Sequence, residues 1–203
     1  MSSIPQKIKK NIETISALKG RIDQWQKLDN EELLLTIKDF EKKPRLEVST
    51  FYNELFNDSN LVHSLIEIYK NHPNNSKLVV YIVSAVGNLI QRYDVTETKE
   101  VYDFMLENAY KKNVGSYVAL FLPRLKHFKN YDKKWQYLMD VKEMTPKKVA
   151  ENSFEGIIDL FIDEIPEEFK TEVKEYFLKK SSEASNEYGK QHYLVLAKMV
   201  LDR

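Results

Sequence analysis

The feature that most constrains this chain is the spacing of its apolar residues, which recur every three or four positions through nearly the whole sequence. The first segment shows the pattern, with Ile4, Ile8, Ile12, Ile15 and Leu18 on one stripe of a helix. The alternation of apolar and polar residues that marks a half-buried strand is not sustained anywhere. The five glycines and six prolines also leave few turn residues for a sheet protein. The sequence therefore predicts an all-α protein.

Residues that cap or break helices divide the chain into segments joined by short connections. Asp29 or Asn30 is suited to the N-cap of one helix, and Ser76 is suited to the N-cap of another. Thr145-Pro146 and Pro166 predict two further starts, because proline is tolerated in the first helical turn. The predicted helices after the first lie at about 31–43, 47–57, 60–71, 77–93, 97–112, 115–128, 132–144, 146–165, 167–181 and 186–202. Such short connections favour antiparallel neighbours.

Four aromatic residues recur at intervals of 36, 37 and 39 residues: Tyr81, Tyr117, Phe154 and Tyr193. Apolar residues follow each of them by four and by eight positions, and each interval contains a second amphipathic helix. A helix pair at this spacing resembles the HEAT and armadillo class of α-solenoids. The resemblance implies an α-solenoid-like array of antiparallel helix pairs over residues 60–203, after N-terminal helices in 1–58, all within a single domain, 1–203. An irregular helical bundle is the alternative.

Composition excludes several kinds of protein. Lysine and arginine number 31, as do aspartate and glutamate, so the chain lacks the basic excess of a dedicated nucleic-acid binder. The absence of cysteine excludes disulfides, thiol nucleophiles and cysteine-bound metals. The longest uncharged run, residues 78–91, is too short to cross a bilayer, and no export signal is visible. We therefore expect a cytoplasmic protein without a membrane partner.

A search for catalytic or metal-binding motifs finds none. The four histidines are His63, His72, His127 and His192. None lies three or four residues from another, and none follows a glutamate by three residues, which excludes the common two-histidine and di-iron motifs. The glycines are isolated, so no phosphate-binding loop is present, and no serine lies in a nucleophile elbow. Gly87 and Gly156 fall inside predicted helices, where we expect close helix packing to require a small residue. The sequence predicts a protein that is not an enzyme, with no catalytic residue, bound metal or cofactor.

Four carboxylates recur every four residues, which places them on one stripe of a helix: Glu151, Glu155, Asp159 and Asp163. We call these four residues the acidic ridge. Like charges at this spacing cost a helix about a few tenths of a kcal/mol per pair. Residues 151–175 contain nine acids and two lysines, a net charge of −7 in a neutral protein. The ridge is either a solvated helix face or a solvent-exposed binding surface, whose site would also include Glu168, Glu172 and Glu175.

A basic segment, residues 124–134, has a net charge of +4 and carries five cations: Arg124, Lys126, Lys129, Lys133 and Lys134. It could neutralise the acidic ridge within the chain, or pair with the ridge of a second copy and so support self-association. Contact with RNA or phosphate is a further alternative. Because a field of one sign attracts a surface of the other, we expect the partner to be a protein with a basic surface.

These observations favour a non-enzymatic protein-binding module. A small, cysteine-free helical protein with an acidic patch resembles bacterial immunity proteins and antitoxins, which neutralise a toxin domain by covering it. The resemblance is one of fold and charge alone. One alternative is a HEAT-like nucleic-acid enzyme of the DNA glycosylase type, which would need a basic concave surface with aromatic residues for the flipped base. Another is a general adaptor or assembly subunit.

Overall fold

A computed structural model of the protein describes residues 4–46 and 49–200. Helices and short 3₁₀ turns connected by loops make up these two ranges, and no β-strand occurs within them. The prediction of an all-α protein is therefore confirmed. The helices are α1 (Gln6–Asp23), α2 (Asn30–Glu41), α3 (Lys43–Leu46), α4 (Asn53–Phe56), α5 (Ser59–Asn71), α6 (Ser76–Tyr93), α7 (Lys99–Glu107), α8 (Gly115–Val118), α9 (Lys134–Asp140), α10 (Lys147–Phe161), α11 (Glu167–Glu183) and α12 (Glu187–Met199).

Side-chain caps determine where two of the long helices begin. The Asp29 carboxylate accepts a hydrogen bond from the backbone N–H of Glu32, and the Glu32 carboxylate accepts one from the backbone N–H of Asp29. This reciprocal pair is a capping box, and it confirms the predicted start of α2. At α6 the cap is Asn75, whose side chain accepts from the backbone N–H of Leu78. Ser76, the predicted cap, is the first helical residue instead.

The prolines that predict helix starts precede α10 and α11. Pro146 and Pro166 each occupy the N-cap position, and neither supplies a side-chain cap. Pro146 was expected to be the first helical residue, so α10 begins one residue later than predicted, whereas α11 begins at Glu167 as predicted. The Thr145 hydroxyl does not cap α10; it donates a hydrogen bond to the side-chain oxygen of Asn113. Two glutamates in the first turn of α11 suit the positive end of the helix dipole, as expected.

The continuous helix predicted for residues 115–128 is wrong. α8 ends at Val118, and two 3₁₀ turns follow it, at Leu122–Arg124 and Lys126–Asn130. Pro123 explains the break, because proline lacks a backbone N–H and its ring clashes with the preceding turn of an α-helix. The prediction for 97–112 was too long, since α7 ends at Glu107. In the predicted segment 47–57, residues 47 and 48 lie outside the described residues.

The hydrophobic core extends along the whole array of helices. It runs from Ile15 and Ile22 in α1, through eight buried apolar residues of α6, to Phe177 in α11 and Ala197 in α12. α6 lies centrally, in contact with α2, α3, α4, α5 and α8. Towards the C-terminus, α8 contacts α10, α9 contacts α10, and α11 packs along α12. No helix in the described part of the chain is both long and apolar enough to cross a membrane.

Two helical glycines differ in their surroundings. A Cβ atom on Gly87 of α6 would overlap the ring of Phe121, so close packing requires glycine there, as the sequence predicts. A Cβ atom on Gly156 of α10 would meet only the guanidinium of Arg124, at 3.9 Å, which is an ordinary contact. The expectation of close helix packing is therefore wrong for Gly156.

The four aromatic residues that define the predicted repeat lie on α6, α8, α10 and α12. Tyr81, Tyr117 and Tyr193 are half-buried, whereas Phe154 is fully buried. Tyr81 and Tyr117 line one groove together with Pro146. Equivalence of the four positions in successive helix pairs stays a prediction.

Candidate functional site: an acidic groove between α10 and α12

The acidic ridge lies along α10 and the 3₁₀ turn after it, Ile162–Glu164. The opposite side of α10 is apolar and buried, with Phe154, Ile158 and Phe161 in the core. Burial of this stripe holds the helix in place despite the repulsion between its carboxylates. The four ridge residues nevertheless differ in their surroundings, because α11 and α12 cover part of the ridge.

Glu151 is neutralised within the chain. Its carboxylate lies 2.7 Å from the ammonium of Lys180 on α11, and the two side chains are only 27% and 17% exposed. Burial lowers the pKa of Lys180, but the hydrogen bond to Glu151 and the nearby negative charges raise it by more, so it lies above the usual lysine value. Lys180 therefore stays charged and offsets part of the repulsion along α10.

Glu155 is also half-buried, and its carboxylate accepts hydrogen bonds from two tyrosines. The Tyr193 hydroxyl on α12 donates to its carboxylate at 3.3 Å, and the Tyr176 hydroxyl on α11 donates at 3.4 Å. Burial and the charge of Glu155 raise the pKa of both tyrosines above the usual value, so the hydroxyls keep their protons. The expectation of a solvent-exposed ridge is wrong for Glu151 and Glu155, because helices that follow in the sequence pack over them.

Asp159 is exposed and lines a groove between α10 and α12. We call this groove, of about 350 Å³, the acidic groove; its lining residues are Asn152, Glu155, Gly156, Asp159, His192 and Leu196. Two carboxylates and no lysine or arginine lie among the lining residues, and the Arg124 guanidinium lies near one of them, 3.9 Å from the Cβ position of Gly156. Such an arrangement can accept a cationic side chain from outside the molecule.

Asp163 and Glu168 lie apart from the acidic groove. Asp163 is exposed in the 3₁₀ turn after α10, and Glu168 is exposed in the first turn of α11. A carboxylate at that position interacts favourably with the positive end of the helix dipole. The spacing of four positions along the chain therefore does not bring all the residues of the acidic ridge to one site.

Glu172 and Glu175 line a second groove, of about 270 Å³, between α10 and α11, together with Glu151. Its lining also includes two further glutamates, Glu143 and Glu183, and four lysines, Lys142, Lys147, Lys179 and Lys180. The Lys142 ammonium lies 2.6 Å from the Glu172 carboxylate. The structure therefore brings three of the predicted site residues together here, but lysines neutralise most of their charge. This second groove is a poorer attractor of cations than the acidic groove.

The basic segment, residues 124–134, contributes to this neutralisation at one position. The Lys134 ammonium lies 3.0 Å from the Glu164 carboxylate and also lies over the ring of Phe161. The basic segment thus neutralises Glu164, and the guanidinium of its Arg124 lies near Gly156 on the ridge helix. The other four cations of the segment are exposed, namely Arg124, Lys126, Lys129 and Lys133. Self-association through this segment stays a prediction.

Within the described residues, one group of side chains has the composition of a metal site. His63 and Glu67 lie one turn apart on α5, and Glu100 lies on α7, with the His63 Nδ1 atom 3.1 Å from the Glu100 carboxylate. The Lys70 ammonium lies between the two glutamates, at 2.7 and 2.9 Å. A metal ion would have to displace Lys70. Sequence reasoning missed this group, although the spacing of His63 and Glu67 on one helix face was a signal for it.

Comparison of the chain with protein-family models, with curated proteins and with solved structures found no match.

Proposed function

We propose that this chain is a non-enzymatic protein-binding module whose partner places a basic surface against the acidic groove. The proposal rests on a difference between carboxylates that are paired with a lysine and carboxylates of the acidic groove that are not. Glu151, Glu164 and Glu172 each have a lysine within 3.0 Å. Within the described residues, neither carboxylate of the acidic groove, Glu155 or Asp159, forms an ion pair, although the Arg124 guanidinium lies near Gly156. A concentrated charge of one sign speeds the encounter with a surface of the opposite sign.

As the scaffold for this surface we propose an α-solenoid-like array of antiparallel helix pairs, similar to HEAT and armadillo repeats. The order of helix contacts supports it, since α5 contacts α6, α8 contacts both α6 and α10, and α11 packs along α12. In an array of this kind each unit contacts mainly its neighbours in the sequence, and a continuous surface is left for binding.

The partner that we propose is a toxin domain with a basic surface, which the chain would cover as bacterial immunity proteins and antitoxins do. Support comes from the analogy of fold and charge, together with the exposed position of Asp159. An adaptor or assembly subunit would use the same groove with a different basic partner. The acidic groove gives no support to a nucleic-acid enzyme, because its carboxylates repel phosphate groups.

A capture experiment with two matched variants tests the proposal. Asp159→Lys reverses a charge in the acidic groove, and Glu168→Lys reverses an exposed charge outside it while changing the net charge equally. Each protein is immobilised and exposed to lysate of the source cells, and bound proteins are quantified by mass spectrometry. We expect a basic protein that is retained by the wild type and by Glu168→Lys but lost with Asp159→Lys. Equal retention by all three proteins, or equal loss with both variants, would contradict the proposal.

A further inference from the structure

Gly156 lies in the acidic groove without a packing reason to be glycine. It occupies the middle of α10, where glycine costs about 0.5–1 kcal/mol relative to alanine. It is exposed, and a Cβ atom there would make only one ordinary contact, at 3.9 Å to Arg124. Its neighbour Glu155 and the next groove residue along α10, Asp159, supply the two carboxylates. The missing side chain leaves space beside these acids, where the Arg124 guanidinium is the one group in the described part of the chain within 4 Å of the Cβ position.

An exposed stripe of α12 borders the same groove. Tyr188, His192 and Val195 follow one another at spacings of four and three residues, and so share one helix face. Tyr188 is 84% exposed and Val195 is 55% exposed, which are high values for large apolar side chains. The Tyr188 ring stacks on the His192 ring, with centroids 6.5 Å apart, and His192 lines the acidic groove. The apolar stripe is therefore continuous with the groove.

α10 contributes a further exposed apolar residue. Leu160 is 48% exposed, follows Asp159 directly, and lies one turn after Gly156. The exposed carboxylate of Asp159 thus lies on a surface that has exposed apolar side chains from two helices. A surface that pairs charge with apolar area in this way suits a partner element that has both properties on one face, as an amphipathic helix does.

We propose that the acidic groove is the docking site for a cationic amphipathic helix of the partner. Lysine or arginine side chains of that helix enter the groove over Gly156, towards Glu155 and Asp159. Its apolar residues pack on Tyr188, Val195 and Leu160. This inference rests on the proposed function and adds to it the form of the partner element. Charge complementarity selects the occupant, because neither carboxylate of the groove forms an ion pair within the described residues, and Arg124 is the one cation near Gly156.

A steric block that leaves the charge unchanged tests the inference. Gly156→Phe fills the groove, and Gly20→Phe is its matched control, because Gly20 is an exposed glycine of α1 with nothing within 4 Å of its Cβ position. The probe is a fluorescent synthetic peptide that forms a helix with lysine on one face and leucine on the other. A second peptide has the same composition in an order that is not amphipathic. Binding is measured by fluorescence anisotropy, and folding of each variant by circular dichroism.

We expect the amphipathic peptide to bind the wild type and Gly20→Phe alike, and to lose about tenfold or more in affinity with Gly156→Phe and with the double variant Tyr188→Ala, Val195→Ala. Equal binding of the two peptides, equal binding to Gly156→Phe and Gly20→Phe, or no binding to the wild type would overturn the inference. If Asp159→Lys weakens peptide binding but Gly156→Phe leaves the affinity unchanged, helix docking is wrong and the proposed function stands. If Asp159→Lys leaves the affinity for the peptide unchanged, both helix docking and the proposed function are wrong.

A further experiment distinguishes a partner helix in the groove from a second copy of this chain. Sedimentation of the wild type and of Gly156→Phe shows whether a second copy occupies the groove. We expect both proteins to sediment alike at every concentration. Association of the wild type that Gly156→Phe abolishes would assign the groove to a second copy and overturn the inference.

Discussion

The carboxylate of Glu155 on α10 accepts hydrogen bonds from the hydroxyl of Tyr193 on α12, at 3.3 Å to each of its oxygens. The two residues are 38 positions apart in the sequence, and their contact joins the two walls of the acidic groove. Glu155 therefore has two roles in our account. It supplies negative charge to the groove, and it fixes α12 beside α10.

Removing the Tyr193 hydroxyl should destabilise the fold. We expect Tyr193→Phe to lower the free energy of unfolding by about 1 kcal/mol, because the half-buried Glu155 carboxylate would keep only the hydroxyl of Tyr176 as a donor. Tyr117→Phe is the matched control, since Tyr117 is also half-buried and its hydroxyl makes no hydrogen bond within the described residues. Urea unfolding measures both variants. Equal losses would show that the hydroxyl of Tyr193 contributes nothing specific.

Charge reversal should affect Glu155 and Asp159 differently. The sequence alone predicts little change in stability for either, because it treats both as exposed. In the structure only Asp159 is exposed, so Asp159→Lys should stay within about 0.5 kcal/mol of the wild type. Glu155→Lys should cost roughly 1–3 kcal/mol, because it removes a hydrogen-bond acceptor shared by two tyrosines. Thermal unfolding of both variants tests this, and similar stabilities would contradict it.

The acid stability of the protein should depend on Glu97. Its carboxylate accepts hydrogen bonds from the backbone N–H groups of Lys126 and His127, and its side chain is 5% exposed. Burial raises the pKa of Glu97, but these bonds and the His127 ring lower it by more, so it lies below the usual 4.5. A folded-state pKa below the unfolded value stabilises the protein above the unfolded pKa, and this stability is lost as the pH falls through the folded pKa.

We therefore expect Glu97→Gln to lower stability near neutral pH and to flatten the fall in stability below about pH 4.5. The measurement is urea unfolding at a series of pH values. Glu13→Gln on α1, at an exposed position, is the control and should leave the pH profile unchanged. A Glu97→Gln profile parallel to that of the wild type would be inconsistent with a role for this carboxylate in acid unfolding.

Alanine substitution at two helical glycines should have opposite effects on the free energy of unfolding. Gly87→Ala should destabilise by about 1–3 kcal/mol, because the added methyl group overlaps the Phe121 ring in a packed core. Gly156→Ala should stabilise by up to about 1 kcal/mol, because alanine is the better helix former and the position is open. Urea unfolding gives both values, and effects of the same sign would refute this comparison.

Sequence reasoning recovered what depends on local patterns. The apolar spacing identifies the helices, Asp29 marks the start of α2, and an interior glycine indicates the close packing at Gly87. It failed where the answer depends on tertiary packing. Helical spacing places Glu151 and Glu155 on one stripe of α10, but it does not show that Lys180 and Tyr193 will cover that stripe.

Tertiary packing also determines which residues share the candidate site, so the sequence did not predict its composition. The acidic ridge was predicted as one surface, whereas the structure divides its residues and their neighbours between two grooves and an exposed turn. The separation arises because α11 and α12 approach α10 at different positions along its length. No spacing within residues 151–175 encodes where a helix at 187–199 will lie. His192, which lines the acidic groove, was therefore missed.

The most direct test of the central claim is the association rate of the captured basic partner with the wild type, Asp159→Lys and Glu168→Lys, measured by surface plasmon resonance at increasing salt. The account predicts that Asp159→Lys slows association far more than Glu168→Lys does. The difference should shrink as the screening length falls from about 10 Å near 0.1 M salt to about 3 Å at 1 M. An association rate that ignores both the Asp159 reversal and the salt concentration would contradict the claim that the acidic groove is the binding site.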